Sequence, residues 1–156
     1  MKLNVFAVGH RQPSWVNEGC AEYLKRMPRE MAASVTEIKP EPRGSKTREQ
    51  LLAAEKGRLR EALAAGCRLV VLDEKGDDLT TLKLARRLEV WMQDGRDVVL
   101  LIGGADGLDE EFKQQADDKL RLSSLTLPHG MARLVLCEQL YRAVRVLKNH
   151  PYHRDG

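Results

Sequence analysis

A run of five apolar residues, Val98–Ile102, is followed at once by a cluster of glycines. Because the run has no alternating polar positions, it predicts a strand that is covered on both faces, as in a parallel sheet flanked by helices. The glycines Gly103, Gly104 and Gly107 allow a tight turn and a close approach of the backbone to a ligand. This feature therefore predicts an α/β domain with a ligand site at the end of a strand.

The rest of the chain alternates between strand and helix patterns. Four more strands are predicted: Lys2–Val8, Ala33–Lys39, Arg68–Asp73 and Leu120–Leu122. Five helices are predicted: from Ser14 to before Pro28, from Thr47 to Ala65, from Thr80 or Thr81 to Gln93, from Asp109 to Asp117, and from Gly130 to Lys148. This order predicts a parallel sheet with helices on both faces. No internal repeat or long linker divides the 156 residues, so a single domain, residues 1–156, is expected.

Local patterns define the ends and faces of these helices. Thr47 followed by Gln50 is a capping box, and Ser14 is the predicted N-cap of the first helix. The apolar side of that helix is assigned to Trp15, Cys20, Tyr23 and Leu24. The apolar side of the last helix is assigned to Leu136, Leu140, Val144 and Leu147, with Glu138 and Arg142 as an i, i+4 ion pair. Residues 74–78 are predicted to form a turn.

Composition excludes several classes of protein. Hydrophobic residues make up 42% of the chain, which is enough for a folded core. Aromatic residues make up only 4%, which argues against a sheet that stacks RNA bases. No apolar run approaches the ~20 residues that a membrane span needs. The three cysteines are widely spaced and contain no CxxC motif, so three free thiols in a reducing cytoplasm are expected.

Ligands of parallel sheets bind at the carboxyl ends of strands, and three such ends are candidates here. They are Leu72-Asp73, Ile102–Gly104 and Leu122–Leu127. The glycine turn lacks the GxGxxG spacing of a dinucleotide site and the Gly-Lys-Ser/Thr of a P-loop. The loop Leu122–Leu127 alternates leucines with hydroxyl side chains, which suits an adenosine-like group. The alternatives are an ordinary strand-to-helix turn and an ordinary helix-entry loop.

The C-terminal tail combines cationic, aromatic and titratable side chains. His150 and His153 are three residues apart, but Pro151 between them disfavours a helical metal pair, and no metal is predicted. With Arg142 and Arg145, the tail forms a basic surface that can meet phosphate, and Tyr152 can stack on a base. The alternative is a solvated terminus. No motif of a hydrolase or a covalent enzyme is present.

Taken together, four segments resemble the RlmH family, the ribosomal RNA large subunit methyltransferases of the SPOUT class. The segments are LLIGGADGL (100–108), LSSLTLPH (122–129), RLVLCEQLYRA (133–143) and NHPYHR (149–154). The resemblance extends to the opening MKLNVFAVG and covers nearly the whole chain. It implies an α/β fold whose C-terminal part, approximately residues 97–148, forms a deep trefoil knot, followed by an RNA-site tail at 149–156. Pattern alone would give an unknotted, flavodoxin-like sheet.

The resemblance also implies a cofactor, a substrate and an assembly. The cofactor is S-adenosylmethionine, and the residues that match the family's cofactor loops are Leu72, Gly103, Gly104, Leu122, Ser123, Ser124, Leu125, Thr126 and Leu127. The reaction is methylation of N3 of pseudouridine 1915 in helix 69 of 23S rRNA, on the assembled 70S ribosome in the cytoplasm. The enzymes are homodimers with the acceptor site near the dimer interface.

The matching tail residues receive roles in this hypothesis. His153 is the general base for the N3 proton, Arg154 contacts phosphate or stabilises charge, and Tyr152 stacks. Deprotonation by solvent in a pre-organised site is the alternative to His153. His129 is interpreted as structural or as a pocket wall. Two other functions stay open from the sequence: a nucleotide- or flavin-binding domain, and a non-catalytic ribosome-associated module.

Overall fold

The computed structural model describes residues 1–104 and 106–148. Its five strands are β1 (Leu3–Val8), β2 (Ala33–Ile38), β3 (Arg68–Asp78), β4 (Val98–Ile102) and β5 (Asp118–Arg121). Its five α-helices are α1 (Ser14–Leu24), α2 (Arg48–Ala62), α3 (Thr81–Asp94), α4 (Glu110–Gln114) and α5 (His129–Leu147). A single 3-10 turn, Arg29–Met31, precedes β2. Strands and helices alternate, as the sequence predicts.

The strands form one sheet in the order β2-β1-β4-β3-β5, and every neighbouring pair is parallel. β4 lies in the middle, and all five of its residues are buried. The predicted parallel sheet flanked by helices is therefore confirmed. A central strand with both edges paired and both faces covered needs an unbroken apolar run, which explains the sequence Val98–Ile102.

Alternate residues of the central strands enter two separate apolar layers. Val5 and Leu100 point into a layer completed by α3 and α5. Phe6 and Leu101 point into the opposite layer, with Leu59 of α2 and residues of α4. Because each such side chain is fully buried or nearly so, each contributes roughly 1.5–3 kcal/mol of hydrophobic free energy. The sheet is consequently held rigid from both sides.

Side-chain caps begin three of the helices at the predicted residues. Thr47 Oγ1 accepts a hydrogen bond from Gln50 N at 3.2 Å, and Gln50 Oε1 accepts from Thr47 N at 2.9 Å. Thr80 caps α3 by accepting from Lys83 N at 3.2 Å. Asp109 caps α4 by accepting from the backbone at 3.1 Å. Each cap satisfies an N–H that the first helical turn leaves without an intrahelical partner.

Helix α5 crosses the whole sheet from its carboxyl edge to its amino edge. His129, its first residue, packs on Gly9, which directly follows β1. At the other end, Lys148 Nζ lies 2.8 Å from Glu30 Oε1, just before β2 begins. A helix of 19 residues is about 28 Å long. The predicted apolar side of α5 packs against the core with Leu136, Leu140, Val144 and Leu147, and the predicted Glu138–Arg142 pair is formed at 2.9 Å.

The turn predicted at residues 74–78 is wrong, because β3 continues through that segment. Asp77 pairs with Leu120 and Asp78 with Arg121, after a shift of register beyond Leu72. The composition of the segment is typical of a turn. Its strand conformation is imposed by β5, which lies more than forty residues further along the chain.

The assignments at the start of α1 are also wrong. Pro13, not Ser14, occupies the N-cap position, and its carbonyl accepts the first hydrogen bond from Val16 N at 3.0 Å. Trp15 is 55% exposed, and the buried side of the helix instead carries Val16, together with Cys20 and Leu24. Other element ends differ from the prediction by one to three residues, the usual scatter at frayed ends.

Candidate functional site

The middle of β3 and the carboxyl ends of β4 and β5 open onto one cleft of about 760 Å³, a size that suits a small organic ligand. The cleft is lined by all of the residues that the sequence assigns to cofactor binding: Leu72, Gly103, Gly104, Leu122, Ser123, Ser124, Leu125, Thr126 and Leu127. In the sequence these residues fall into three separate segments. Parallel pairing of Leu72 with Ile102 and with Leu120 brings the segments to the same edge.

The glycine turn after β4 is closed by its own backbone. Gly107 N donates a hydrogen bond to Gly104 O at 3.0 Å, and Gly107 has a φ of +83°. A Cβ on Gly103 would lie 2.9 Å from both Gly107 O and Leu108 Cγ. The turn therefore excludes any side chain at Gly103, and a bare stretch of backbone faces the cleft.

In the loop after β5, the hydroxyl side chains and the leucine side chains have different roles. Ser123 Oγ accepts a hydrogen bond from Leu125 N at 2.9 Å, which bends the backbone. Arg121 Nε donates to Ser123 O at 3.2 Å and holds the start of the loop. Leu125 is 75% exposed, so an apolar side chain stands at the cleft without cover from the described residues. Such a loop offers apolar walls together with backbone polar groups.

Charged residues line the same cleft, and of those discussed here the sequence pointed only to Asp73, as part of a candidate strand end. Arg48 of α2 donates to Asp106 O at 2.7 Å. Lys113 Nζ lies 3.0 Å from Glu110 and 3.7 Å from Asp73. Asp73 follows the apolar part of β3 directly, and the sequence named it with Leu72 as a candidate ligand-binding end. Arg48 carried no such signal, because its place depends on how α2 packs.

His129 does not line this cleft but lies behind it. Its Nε2 accepts a hydrogen bond from Arg133 Nε at 2.9 Å. Burial lowers the pKa of His129, and the positive charge of Arg133 lowers it further. A hydrogen bond to the Gly103 backbone and the charge of Glu37 act in the opposite direction. The imidazole is consequently stabilised in its neutral form, which fits the structural role assumed for it.

The residues predicted to be catalytic, Tyr152, His153 and Arg154, lie outside the residues that the structure describes, as do His150 and the rest of the tail. Within residues 1–104 and 106–148, no group of three His, Cys, Asp or Glu side chains is placed to hold a metal ion. Nor does any helix in those ranges have the length and hydropathy of a membrane span.

The lining suits a ligand with one apolar and one charged end. The leucines of the 122–127 loop provide an apolar wall, and the turn at Gly103 offers close access to backbone. Asp73, Glu74 and Asp106 bring negative charge, whereas Arg48 and Lys113 bring positive charge. Carboxylates attract a cationic centre, and the cations attract a carboxylate group. A zwitterionic nucleoside with a sulfonium, such as S-adenosylmethionine, fits this set.

Fold and cleft together define a class of protein: a parallel α/β domain whose cleft at strand ends suits a nucleoside-like ligand and has no phosphate fingerprint. Residues 1–153 match the family described as "Predicted SPOUT methyltransferase", and the chain belongs to that family. It is therefore a methyltransferase of the SPOUT class. Membership disfavours the nucleotide- or flavin-binding alternative.

Curated relatives match the chain from end to end. A protein of Dechloromonas aromatica (strain RCB) is 89% identical over 156 residues, covering 100% of both chains. A protein of Burkholderia lata is 56% identical over 155 residues, covering 99% of both. Each is named "Ribosomal RNA large subunit methyltransferase H", which confirms the resemblance to the RlmH family.

Solved structures support the fold. A probable methylase family protein from Haemophilus influenzae Rd KW20 superposes with a TM-score of 0.53 and 16% identity, over 96% of this chain and 68% of the other. A structure concerned with 2-OH methylation of C/U34 on tRNA gives a TM-score of 0.53 and 16% identity, over 96% and 98%. At such identities the likeness shows shared architecture alone.

Proposed function

We propose that this methyltransferase uses S-adenosylmethionine to methylate N3 of pseudouridine 1915 in helix 69 of 23S rRNA, on the assembled 70S ribosome. The observation that carries the proposal is the meeting of three predicted cofactor segments in one cleft. The names of the full-length relatives support a ribosomal RNA substrate. Because ribosomes are assembled in the cytoplasm, the enzyme is expected to act there.

The cofactor supplies a methyl group on a positively charged sulfur. The chain's own contribution is binding and orientation. The 122–127 loop would hold the adenosine part between its leucines and main-chain groups, and the turn at Gly103 would lie against the rest of the molecule. Asp73 and Asp106 supply negative charge for the sulfonium, and Arg48 supplies positive charge for the carboxylate. Orienting the methyl group toward the acceptor lowers the entropic part of the barrier.

Methylation at N3 requires the loss of the proton that this nitrogen carries. In our proposal His153 accepts that proton, since an ordinary histidine has a pKa of about 6.5 and is largely neutral at pH 7. Arg154 contacts phosphate or stabilises developing charge, and Tyr152 stacks on the base. Proton loss to solvent in the pre-organised site is the competing route.

The length of α5 supports a homodimer in which each tail serves the partner's cleft. The helix starts behind the cleft at His129 and ends about 28 Å away at the opposite edge of the sheet. His153 is five residues beyond Lys148, and five residues of extended chain span at most about 18 Å. A chain therefore cannot bring its own His153 to its own cleft while α5 keeps its full length.

The weak overall charge favours the ribosome over free RNA as the substrate. With a net charge of +3, the chain can neutralise only a few phosphates. Neighbouring surfaces of an assembled ribosome would orient the enzyme by shape. Binding to naked rRNA is accordingly expected to be weak and to fall further with salt.

The decisive test is transfer of labelled methyl from S-adenosylmethionine to 70S ribosomes that lack the modification, with naked 23S rRNA in parallel. We expect label on the helix-69 pseudouridine of ribosomes and little on naked rRNA. Robust labelling of a short helix-69 oligonucleotide would contradict the need for the ribosome. No label despite cofactor binding would mean a different acceptor, whereas no binding would favour a non-catalytic ribosome-associated module.

A further inference from the structure

Charge is distributed unevenly along the carboxyl edge of the sheet. Two loops follow β1 and β2 at this edge, residues 9–12 and residues 39–48, the second of which runs into the first residue of α2. Together they contain five lysine or arginine residues and a single glutamate, a net charge of +4, whereas the whole chain has only +3. The end of β3, on the other side of the central strand, is acidic: residues 73–78 contain four carboxylates and one lysine. Positive charge is therefore concentrated over β1 and β2.

The two basic loops lie directly beside the cleft. Gly9 N donates a hydrogen bond to the carbonyl of the last residue of β2 at 3.1 Å, which holds the ends of β1 and β2 together. The end of β1 also packs on the glycine turn, since a Cβ on Gly104 would lie 3.3 Å from Val8 Cγ1. Arg48 lines the cleft itself and donates to Asp106 O at 2.7 Å. A molecule that enters the cleft from this side consequently passes over the basic loops.

Ion pairs join the second loop to its surroundings. Arg43 Nη2 lies 2.7 Å from Asp106 Oδ2, and Lys46 Nζ lies 3.3 Å from Glu41 Oε1. The pair with Asp106 links the loop to the rim of the cleft. Both cations are exposed, at 60% and 41% of their side chains, and exposed pairs of this kind contribute little to stability. Their guanidinium and ammonium groups therefore still face solvent.

Arg11 and Lys39 have no such partners. Both side chains are exposed, and neither forms a hydrogen bond or an ion pair with another described residue. Arg11 is three residues past the end of β1, and Lys39 directly follows β2. The two strand ends are themselves paired, with Val8 opposite Ile38. An anion at this edge thus meets cations that no carboxylate of the described protein has neutralised.

We propose that the exposed cations of these two loops bind phosphate groups of the RNA that carries the acceptor base. This β1–β2 edge surface consists of Arg11, Lys39, Arg43, Lys46 and Arg48. The inference rests on the proposed function and names the surface that holds its substrate. The acceptor base has to reach the cleft, so the flanking nucleotides continue over a neighbouring surface. The acidic end of β3 repels phosphate and the basic loops attract it, so the RNA backbone runs across β1 and β2.

Two substitutions remove charge from this surface without touching the cleft. If Arg11 and Lys39 each contact one phosphate, each contact contributes about 0.7 to 0.9 to the slope of log K against log salt, or roughly 5- to 8-fold in affinity at 0.1 M salt. The double variant Arg11→Gln/Lys39→Gln should accordingly bind 70S ribosomes about 25- to 60-fold more weakly. Its melting temperature and its affinity for S-adenosylmethionine should not change, because neither side chain contacts another described polar group.

Arg86→Gln is the matched control. Arg86 is 68% exposed, and its ion pair with Glu89 is long, at 3.9 Å, so the variant removes the same charge from an equally open position. It lies on α3, which packs on the face of the sheet opposite to α2. Ribosome affinity and salt slope should equal those of the unaltered protein. Equal weakening by Arg86→Gln and Arg11→Gln would show that overall charge attracts the ribosome, and would overturn the inference.

The measurement is co-sedimentation of the full-length variants with unmodified 70S ribosomes at several salt concentrations, repeated with naked 23S rRNA at low salt. We expect the double variant to bind both more weakly, with the same reduction in salt slope. Unchanged affinity for ribosomes would overturn the inference. Weaker binding to ribosomes together with unchanged binding to naked rRNA would identify a ribosomal protein as the partner of this surface, and would overturn it as well.

Binding is measured here without catalysis, so the inference and the proposed function can fail separately. If the unaltered protein bound ribosomes with the expected charge dependence but transferred no methyl group, the surface would be supported and the proposed reaction would be wrong. If methyl transfer to the helix-69 pseudouridine occurred while the double variant bound ribosomes as tightly as the unaltered protein, the proposed function would be supported and the inference would be wrong.

Discussion

One added methyl group at Gly103 is expected to disable the cleft. Its Cβ would lie 2.9 Å from Gly107 O, a backbone atom that cannot move aside cheaply. We expect Gly103→Ala to destabilise the fold by about 1–3 kcal/mol and to abolish measurable cofactor binding. Gly57→Ala, on an open face of α2 with nothing within 4 Å, is the control and should stabilise by roughly 0.5–1 kcal/mol. Urea unfolding and calorimetric titration would measure the two effects, and wild-type affinity in Gly103→Ala would contradict the assignment.

His153→Ala should affect the chemical step alone. If His153 accepts the N3 proton, the rate of methyl transfer to ribosomes should fall by about 10²- to 10⁴-fold, while cofactor affinity stays nearly unchanged. The rate with unaltered His153 should also fall in acid, because the protonated ring cannot accept a proton. Single-turnover rates across pH, beside cofactor titration, would check both points. A large loss of cofactor binding would contradict this division of roles, and an unchanged rate would favour solvent as the base.

At the scale of elements, the unusual feature is the irregular pairing of β3 with β5. Leu120 pairs with Leu72 and again with Asp77, so residues 73–76 depart from the regular ladder. Gly76 lies directly on the backbone of β5, and a Cβ there would be 2.7 Å from Leu120 N and C. Two backbones that pair this closely leave no room for a side chain at Gly76.

Gly76→Ala is therefore expected to destabilise the protein more than most surface substitutions do. The methyl group would push against main chain on β5, with a cost of about 1–3 kcal/mol in the free energy of unfolding. Gly57→Ala again provides the matched control. Urea unfolding followed by circular dichroism would measure both variants. Equal stabilities for Gly76→Ala and the unaltered chain would show that β3 has room to move away from β5.

Sequence reasoning found those elements whose signal is local. β4 was predicted with its observed bounds because a strand buried on both faces requires an unbroken apolar run. Thr47 was predicted as the N-cap of α2 because a capping box joins residues only three positions apart. The extension of β3 was missed because its partner lies far along the chain. Among cleft residues, the glycines and leucines were found from a motif, whereas Arg48 was missed because its position depends on helix packing.

At the scale of the whole molecule, the position of the tail decides which chain completes which cleft. α5 carries the chain about 28 Å from its start at His129, and the five residues from Lys148 to His153 span at most about 18 Å. In a symmetric dimer the same helix end can approach the partner's cleft instead. Each active site would then consist of a cleft from one chain and a tail from the other.

Mixing two inactive variants tests this arrangement. Gly103→Ala removes the cleft and His153→Ala removes the tail, so each homodimer should be inactive. In a heterodimer, the intact cleft of the His153→Ala chain would receive the intact tail of the Gly103→Ala chain. If chains assemble at random, half of the dimers are mixed and each has one complete site, so roughly a quarter of the wild-type activity should return on co-expression. Differently tagged chains would verify that heterodimers form. Heterodimers without activity would show that each tail serves its own chain, which requires α5 to end earlier than Leu147.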